Sequence, residues 1–294
     1  MLCGESSLKS KNNPKYTIRN AKVIPVETRY IKPGESLNII LNAAKNYLKD
    51  GDFLIISETP VSISQRRLVD ESLFSPSLMA IFLADVWSKL IWGHILGPLF
   101  RIKKRTIHNL RELPPESRAH KEVVLQYYGL KHALKPASEA GIDLSNVPGS
   151  MVSLLPENPE NVAKLLSKKI KSNCSKDITV IIIDTDATYE LGGKKFTCLP
   201  IALSGIKEDL GILGYIMGKF GHTIGPTPLG ASHDLNVDYA LKLAQIAENY
   251  QKSVEGHLET VYNMKNSFKG EIDNVSIEML ESIKHTPAII IRHL

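Results

Sequence analysis

The stretch Ile178 to Asp186, ITVIIIDTD, decides the fold. Every residue from Ile178 to Ile183 is β-branched, and no polar alternation interrupts the run. A half-buried strand alternates apolar and polar residues, so a continuous run predicts a strand covered on both faces. Helices must supply that cover. ENVAKLLSKKIK (160–171), directly upstream, has helical apolar spacing, as does VDYALKLAQIAENYQK (237–252) downstream. Nearer the amino end, residues 18–31 and FLIIS (53–57) are strand-length runs separated by a helical LNIILNAAKNYLK, and the turn Lys49-Asp50-Gly51-Asp52 closes that helix. SRAHKEVVLQYY (117–128) predicts another helix, and Ala288 to Ile291 a last buried strand. Helices and strands thus mix along the chain without repeats, which predicts an α/β or α+β enzyme-like architecture.

The composition sets the bounds. At roughly 150 residues per domain, 294 residues make one large domain or two lobes. With 43% hydrophobic and 23% charged residues, disorder, collagen and coiled coil are excluded. The net charge of +5 is spread along the chain and no DNA- or RNA-binding module is legible, so no nucleic-acid partner is expected. Cys3, Cys174 and Cys198 cannot all pair and show no zinc spacing, which favours a reducing, cytoplasmic setting. Residues 1–17 are polar, lack the apolar core of a secretory signal and are expected to be flexible.

Residues 75–100, SPSLMAIFLADVWSKLIWGHILGPLF, hold both tryptophans and form the most apolar segment. Asp85, Lys89 and His94 interrupt it, at a cost of about 2.5–3.5 kcal/mol for a charge at a bilayer centre, so a simple span is disfavoured. Spacing predicts an amphipathic helix with Asp85 and Lys89 paired on one face and Leu78, Ile81, Phe82, Trp92 and Ile95 turned away. A core or subunit-interface helix is the preferred reading. An interfacial membrane helix followed by Arg101, Lys103, Lys104 and Arg105 is the alternative, in which Trp92→Asp would abolish liposome binding.

Two places gather acids beside turns. In Ser138 to Gly149 a glycine, Asp143, Ser145 and Asn146 lie between turn signals, a loop suited to oxygen-rich ligands and equally to an Asx-turn. The second is Asp184-Thr185-Asp186, acids at the carboxyl end of a central strand, where α/β folds bind ligands. A rigid strand end holds a carboxylate in place for Mg²⁺ or Mn²⁺, which needs one or two such oxygens besides substrate phosphates. A turn-forming Asp184 is the bland reading. Neither a Walker loop, nor G-x-G-x-x-G, nor G-x-S-x-G occurs, and the glycines from Gly211 to Gly225 read as a tightly packed helix.

In ordered blocks the chain resembles the coenzyme F-420 gamma-glutamyl ligase family. These are IKPGESL, LKDGDFLIISETPVSISQRRLVD, AGIDLSNVPGSMVSLLPENPENVAKLL, ITVIIIDTDATY and LPIALSGI, spread from about residue 22 to 250. The resemblance implies a two-lobed α+β ligase fold in an intertwined homodimer. It also implies addition of L-glutamate to a small-molecule carboxylate acceptor through an acyl phosphate, with GTP or ATP as co-substrate and Mg²⁺ or Mn²⁺ as cofactor. Position by position, Asp143 and Asp184 match catalytic, metal-binding aspartates, Thr185 a ligand of a second metal, and Asn146 a nucleotide contact; Ser62, in the family's loop, and Arg66, a cation just downstream of it, are the further nucleotide-binding candidates. The sequence also departs from the family. Where the family carries Gln-Lys-Ile-Val-Ser-Lys, this chain has Glu58-Thr59-Pro60-Val61-Ser62-Ile63, so Thr59 and Ile63 replace two lysines, with Arg66 and Arg67 just downstream. The acid expected near Thr227-Pro228-Leu229 is missing, and the tryptophan-rich and basic segment at about 75–115 reads as an insertion. A folate or pterin polyglutamylating ligase and a non-catalytic relative are the rival readings.

Overall fold

Residues 17–18, 21–144, 147–254 and 276–293 are described by a computed structural model. Most of the segment expected to be flexible, residues 1–16, and the nucleotide-contact candidate Asn146 lie outside them. In chain order the strands are β1 (Thr17–Ile18), β2 (Ala21–Thr28), β3 (Phe53–Ser57), β4 (Leu68–Asp70), β5 (Met151–Ser153), β6 (Thr179–Leu191), β7 (Lys194–Thr197), β8 (His222–Ala231) and β9 (His285–His293). The helices are α1 (Asn38–Ala44), α2 (Glu58–Ser64), α3 (Leu78–Leu99), α4 (Lys104–Arg111), α5 (Ser117–Tyr128), α6 (Leu130–Ala133), α7 (Pro159–Cys174), α8 (Gly211–Gly218), α9 (Val237–Val254) and α10 (Ile277–Glu281).

The β-branched run becomes the buried half of β6, at the centre of a mixed seven-stranded sheet ordered β1-β2-β9-β3-β6-β7, with β8 also paired to β6. Only the β3–β6 pairing is parallel. Side chains alternate across the sheet, so Leu54, Ile56, Val180, Ile182 and Ile290 pack against α1 and α7 on one face. Ile55, Ile181, Ile183, Ile289 and Ile291 meet α9 on the other. This two-sided cover is why the run shows no alternation. A separate two-stranded sheet, β4–β5, packs with α3 and α5 around Leu83, Val123, Val124, Val152 and Leu154. The architecture is mixed α and β.

The elements nearest the central strand lie close to where spacing places them, and α5 matches residue for residue. The terminal strand is longer than expected and starts at His285, while α4 adds a helix within the basic connection. The glycine cluster divides: Gly214 and Gly218 let α8 pack closely on Thr197, Cys198 and Tyr189, and the later glycines run into β8.

The tryptophan-rich helix differs most from expectation. Residues Phe82–Leu96 are π-helical, with bonds from residue i to i+5, as in Gly97 N–H to the Trp92 carbonyl. Residues four apart then no longer stack, and the expected Asp85–Lys89 pair does not form. Asp85 pairs instead with Arg118 at 2.7 Å, and Lys89 Nζ donates to the Leu113 carbonyl at 2.9 Å. Nor do the five named apolar residues share a face. Trp92 is fully buried against Phe100 and Tyr215, whereas Leu78, Phe82 and Ile95 are exposed.

Ile182 is fully buried between α7 and the strands beside it. Ile182→Ala is expected to cost about 2–5 kcal/mol, read as a lower urea midpoint at unchanged slope.

Candidate active site

Because β3 and β6 run parallel with Ser57 opposite Ile183, the next residues, Glu58 and Asp184, follow at matching positions. Glu58 leaves the sheet, whereas Asp184 stays within β6, which runs on to Leu191, so the acids expected at the carboxyl end of the strand lie inside it. Connections diverge at the carboxyl ends of parallel strands, and the crevice between them is where such sheets take ligands. Glu58 opens α2, and both acids are buried, 8% and 4% exposed.

A bulge follows directly. Asp184 pairs with Thr227 of β8 and Ala187 with Pro226, leaving Thr185 and Asp186 out of the ladder. Asp186 N–H donates to Asp184 Oδ1 at 2.6 Å, and the Thr227 hydroxyl donates to the Asp186 carbonyl at 2.7 Å. Asp143 arrives from the smaller sheet, its backbone exchanging hydrogen bonds of 3.1 and 2.8 Å with Ser153. The loop can close this tightly because residue 141 is glycine. At φ +69°, a Cβ on Gly141 would stand 2.8 Å from Asp184 Oδ2 and 2.7 Å from Leu155 Cδ2.

These residues border a cavity of about 450 Å³ that Glu58, Thr59, Asp143, Asp184, Thr185 and Asp186 line, together with the cations Arg29, Lys252 and Lys284. Burial, then the negative charge of Asp143, pushes the Glu58 carboxyl up to about 7, while Thr59 Oγ1 donates to it at 2.7 Å. Asp184 is held well above the ordinary carboxyl range by burial first, then by Glu58 and Asp186. Lys135 provides a buried counter-charge: its Nζ donates to Asp186 Oδ2 at 2.7 Å and to the Ser138 carbonyl. Burial disfavours the charge on Lys135, but Asp186 outweighs it and the lysine stays protonated.

A second buried ionic group lies along the same chain segment. Lys121 pairs with Glu139 and donates to the carbonyls of Ala133 and Lys135 at 2.9 and 2.8 Å. His120 Nδ1 lies 2.6 Å from Glu71 and Nε2 3.6 Å from Glu139. Burial opposes the imidazolium, yet the hydrogen bonds to Glu139 and Glu71 hold its pKa up at about 10.

Carboxylates crowded at a partly open cavity are the hard oxygen donors that Mg²⁺ or Mn²⁺ prefers, and a cation among them would relieve the repulsion that raises Glu58 and Asp184. Among the described residues no group of three or more His, Cys, Asp or Glu side chains is placed to hold a metal ion. Mg²⁺ does not require such a group, since phosphate oxygens and water fill the remaining positions.

The family model for F420-0:gamma-glutamyl ligase matches residues 25–292. The chain belongs to this family. An uncharacterised protein of Methanocaldococcus jannaschii is 37% identical over 287 residues, 92% of this chain and 96% of its own. The coenzyme F420:L-glutamate ligase of the same organism is 28% identical over 57% of this chain and 61% of its own. That of Natronomonas pharaonis is 32% identical over 53% and 54%. The matches to these two named ligases therefore span only part of their length.

Of the residues matched to the family's motifs, Asp143, Asp184 and Thr185 meet at the cavity. Ser62 and Arg66 are not among its lining residues. The Ser62 hydroxyl is buried without a protein partner, and Arg66 is exposed at φ +59° with its guanidinium against Gly34. Arg67 is also engaged elsewhere, donating to the Leu155 carbonyl at 2.7 Å and pairing with Glu157. Sequence reasoning missed Glu58 and Lys135 as site residues and named Asp186 among the acids without giving it a role. Glu58 was within reach, since it follows FLIIS as Asp184 follows ITVIII.

Two outcomes are expected. An acid whose pKa is higher folded than unfolded weakens the fold as pH rises between the two values, here from 4.5 to about 7. Without metal, Glu58→Gln should therefore melt at a higher temperature than wild type above pH 7, and the gap should close as pH falls toward 4.5. Gly141→Ala should lose about 1–3 kcal/mol in a denaturant titration through its left-handed backbone, with the contact to Asp184 adding to the loss.

Proposed function

We propose that this chain is a nucleotide- and metal-dependent ligase that joins L-glutamate to the carboxylate of a small-molecule acceptor. The observation that carries this reading is the meeting of Asp143, Asp184 and Thr185, from two distant family blocks, at one cavity beside Glu58. Asp143 and Asp184 would hold Mg²⁺ or Mn²⁺, with Thr185 contributing its oxygen. Bound there, such an ion neutralises charge on phosphate oxygens.

A carboxylate is a poor electrophile. The γ-phosphoryl group of GTP or ATP therefore passes to an acceptor carboxylate oxygen, its bond to the β-phosphate breaks, and the nucleoside diphosphate leaves. The glutamate amine then attacks the acyl carbon, the carbon–oxygen bond to phosphate breaks, and the amide forms as the amine releases a proton. Arg29, Lys252 and Lys284 line the same cavity and offer the phosphates cations where the family's loop lysines are absent. The acceptor is a deazaflavin coenzyme, or a pterin or folate of similar shape. The family resemblance also supports a two-lobed, intertwined homodimer, and a cytoplasmic setting suits these substrates.

A second reading has its own support. Thr59 and Ile63 stand where the family has lysines, and the chain resembles an uncharacterised protein of Methanocaldococcus jannaschii more extensively than that organism's named ligase. This favours a relative that binds metal without turnover.

Calorimetry with GTP and ATP in Mg²⁺ or Mn²⁺ should show metal-dependent binding that Asp143→Asn and Asp184→Asn each reduce at least about tenfold, the loss expected when a charge-assisted contact worth about 1.5–3 kcal/mol is removed. Diphosphate release should then require acceptor and glutamate together. Metal binding with no nucleotide binding would favour the non-catalytic reading, and a folded wild type that binds neither would exclude both.

A further inference from the structure

The two faces of α3 differ sharply. Its inner face is tied to the protein through buried Leu83, Ala84, Ser88 and Trp92, the Asp85–Arg118 pair and the bond from Lys89 to the Leu113 carbonyl. Its outer face is mostly apolar: Leu78, Phe82, Leu90, Ile95 and Leu99 are 86, 46, 52, 61 and 70% exposed, with His94 exposed beside Ile95. Phe220, 71% exposed, extends this surface at the carboxyl end, where its ring meets Phe100 at 6.4 Å. No acid occupies an exposed position on the helix, and the exposed cations Arg101, Lys103 and Lys104 follow directly.

Singly exposed apolar residues need no explanation, but a ridge of this length marks a contact surface. By length and composition alone, the 22 residues could cross a membrane. The bonded inner face excludes that course, because a spanning helix would carry Asp85 and Lys89 away from Arg118 and Leu113. The helix can meet lipid only lying flat. An apolar ridge flanked by cations is the arrangement that binds the interface of an anionic bilayer, acyl chains taking the ridge and headgroups the charges.

We propose that the outer face of α3, with Phe220 and the cations Arg101, Lys103 and Lys104, docks this protein in the plane of an anionic lipid surface. Charge complementarity selects that occupant. Trp92 has no part in it, being buried in the core.

The test is co-sedimentation of the full chain with vesicles of phosphatidylcholine alone or in equimolar mixture with phosphatidylglycerol, at low and high salt. Wild type should sediment with the mixed vesicles, and salt should release it. Lys103→Ala and Lys104→Ala should each weaken partitioning about fivefold. Ile95→Asp, at an exposed position, should abolish binding while circular dichroism and thermal midpoint stay unchanged. Failure of wild type to bind the mixed vesicles overturns the proposal, as does binding that Ile95→Asp leaves intact. If wild type ignores vesicles and Ile95→Asp converts a dimer into a monomer, the face belongs to a second copy of the chain and the proposal fails.

Discussion

The parallel register of β3 on β6 is the constraint on which the other features rest. Apolar side chains cover both faces of these strands, so a slip of one residue would exchange one buried set for another, and hydrophobicity alone sets the register weakly. The amino ends pin it. Arg292 clamps Asp52 with two bonds of 2.7 and 2.6 Å, and Asp52 also accepts from Lys49 N–H at 2.7 Å. Gly51 N–H donates to the Asp177 carbonyl at 2.8 Å and Thr179 N–H to that of Asp52 at 3.0 Å. A polar clamp at one end of the paired strands thus sets which residues follow at the other, and those residues are Glu58 and Asp184.

Bringing two carboxylates side by side has an electrostatic cost, visible in how far both are displaced from ordinary acidity. The fold offsets part of it. Lys135 pairs with Asp186 of the bulge, and the same lysine holds the Ser138 carbonyl, fastening the loop that carries Gly141 and Asp143. Removing one partner of such a buried pair strands the other charge, so these ions are tied to one another far more strongly than surface pairs. The His120, Lys121 and Glu139 group extends this anchoring toward α3, joining the helical region to the cavity wall. Glu58, Asp143 and Asp184 are the acids that line the cavity.

How much of this was legible follows the range of the interactions. ITVIIIDTD identified the central strand because burial on both faces leaves a local mark, and the helices around it followed from spacing; its acids, read as the end of the strand, lie at a bulge inside a strand that continues to Leu191. The π-helical geometry was not legible: the partners of that helix, Arg118 for Asp85, Leu113 for Lys89 and Tyr215 for Trp92, are remote in sequence from the residues they meet. Lys135 and Asp186 lie 51 residues apart, and nothing in either segment announces the other. Ser62 entered through a motif match and Arg66 as a cation downstream of the missing lysines; Ser62 is buried in α2, and Arg66 is exposed in the turn after that helix.

On the proposed reading, the altered loop and the acidic cavity are two sides of one change. A lysine at position 59 would stand beside Glu58 and cancel its charge, whereas the threonine found there donates a neutral hydroxyl at 2.7 Å and leaves the carboxylate to repel its neighbours. Losing the second lysine, at Ile63, removes another cation from the cavity lining. The lining cations Arg29, Lys252 and Lys284 are paired with Glu35, Glu248 and Glu27, so a divalent ion carried on the nucleotide would supply the larger part of the balancing charge where the acids can share it. The substitutions therefore move the balancing charge from the loop to the ion, and they make occupancy of the cavity by nucleotide more dependent on metal than it would be with both lysines in place.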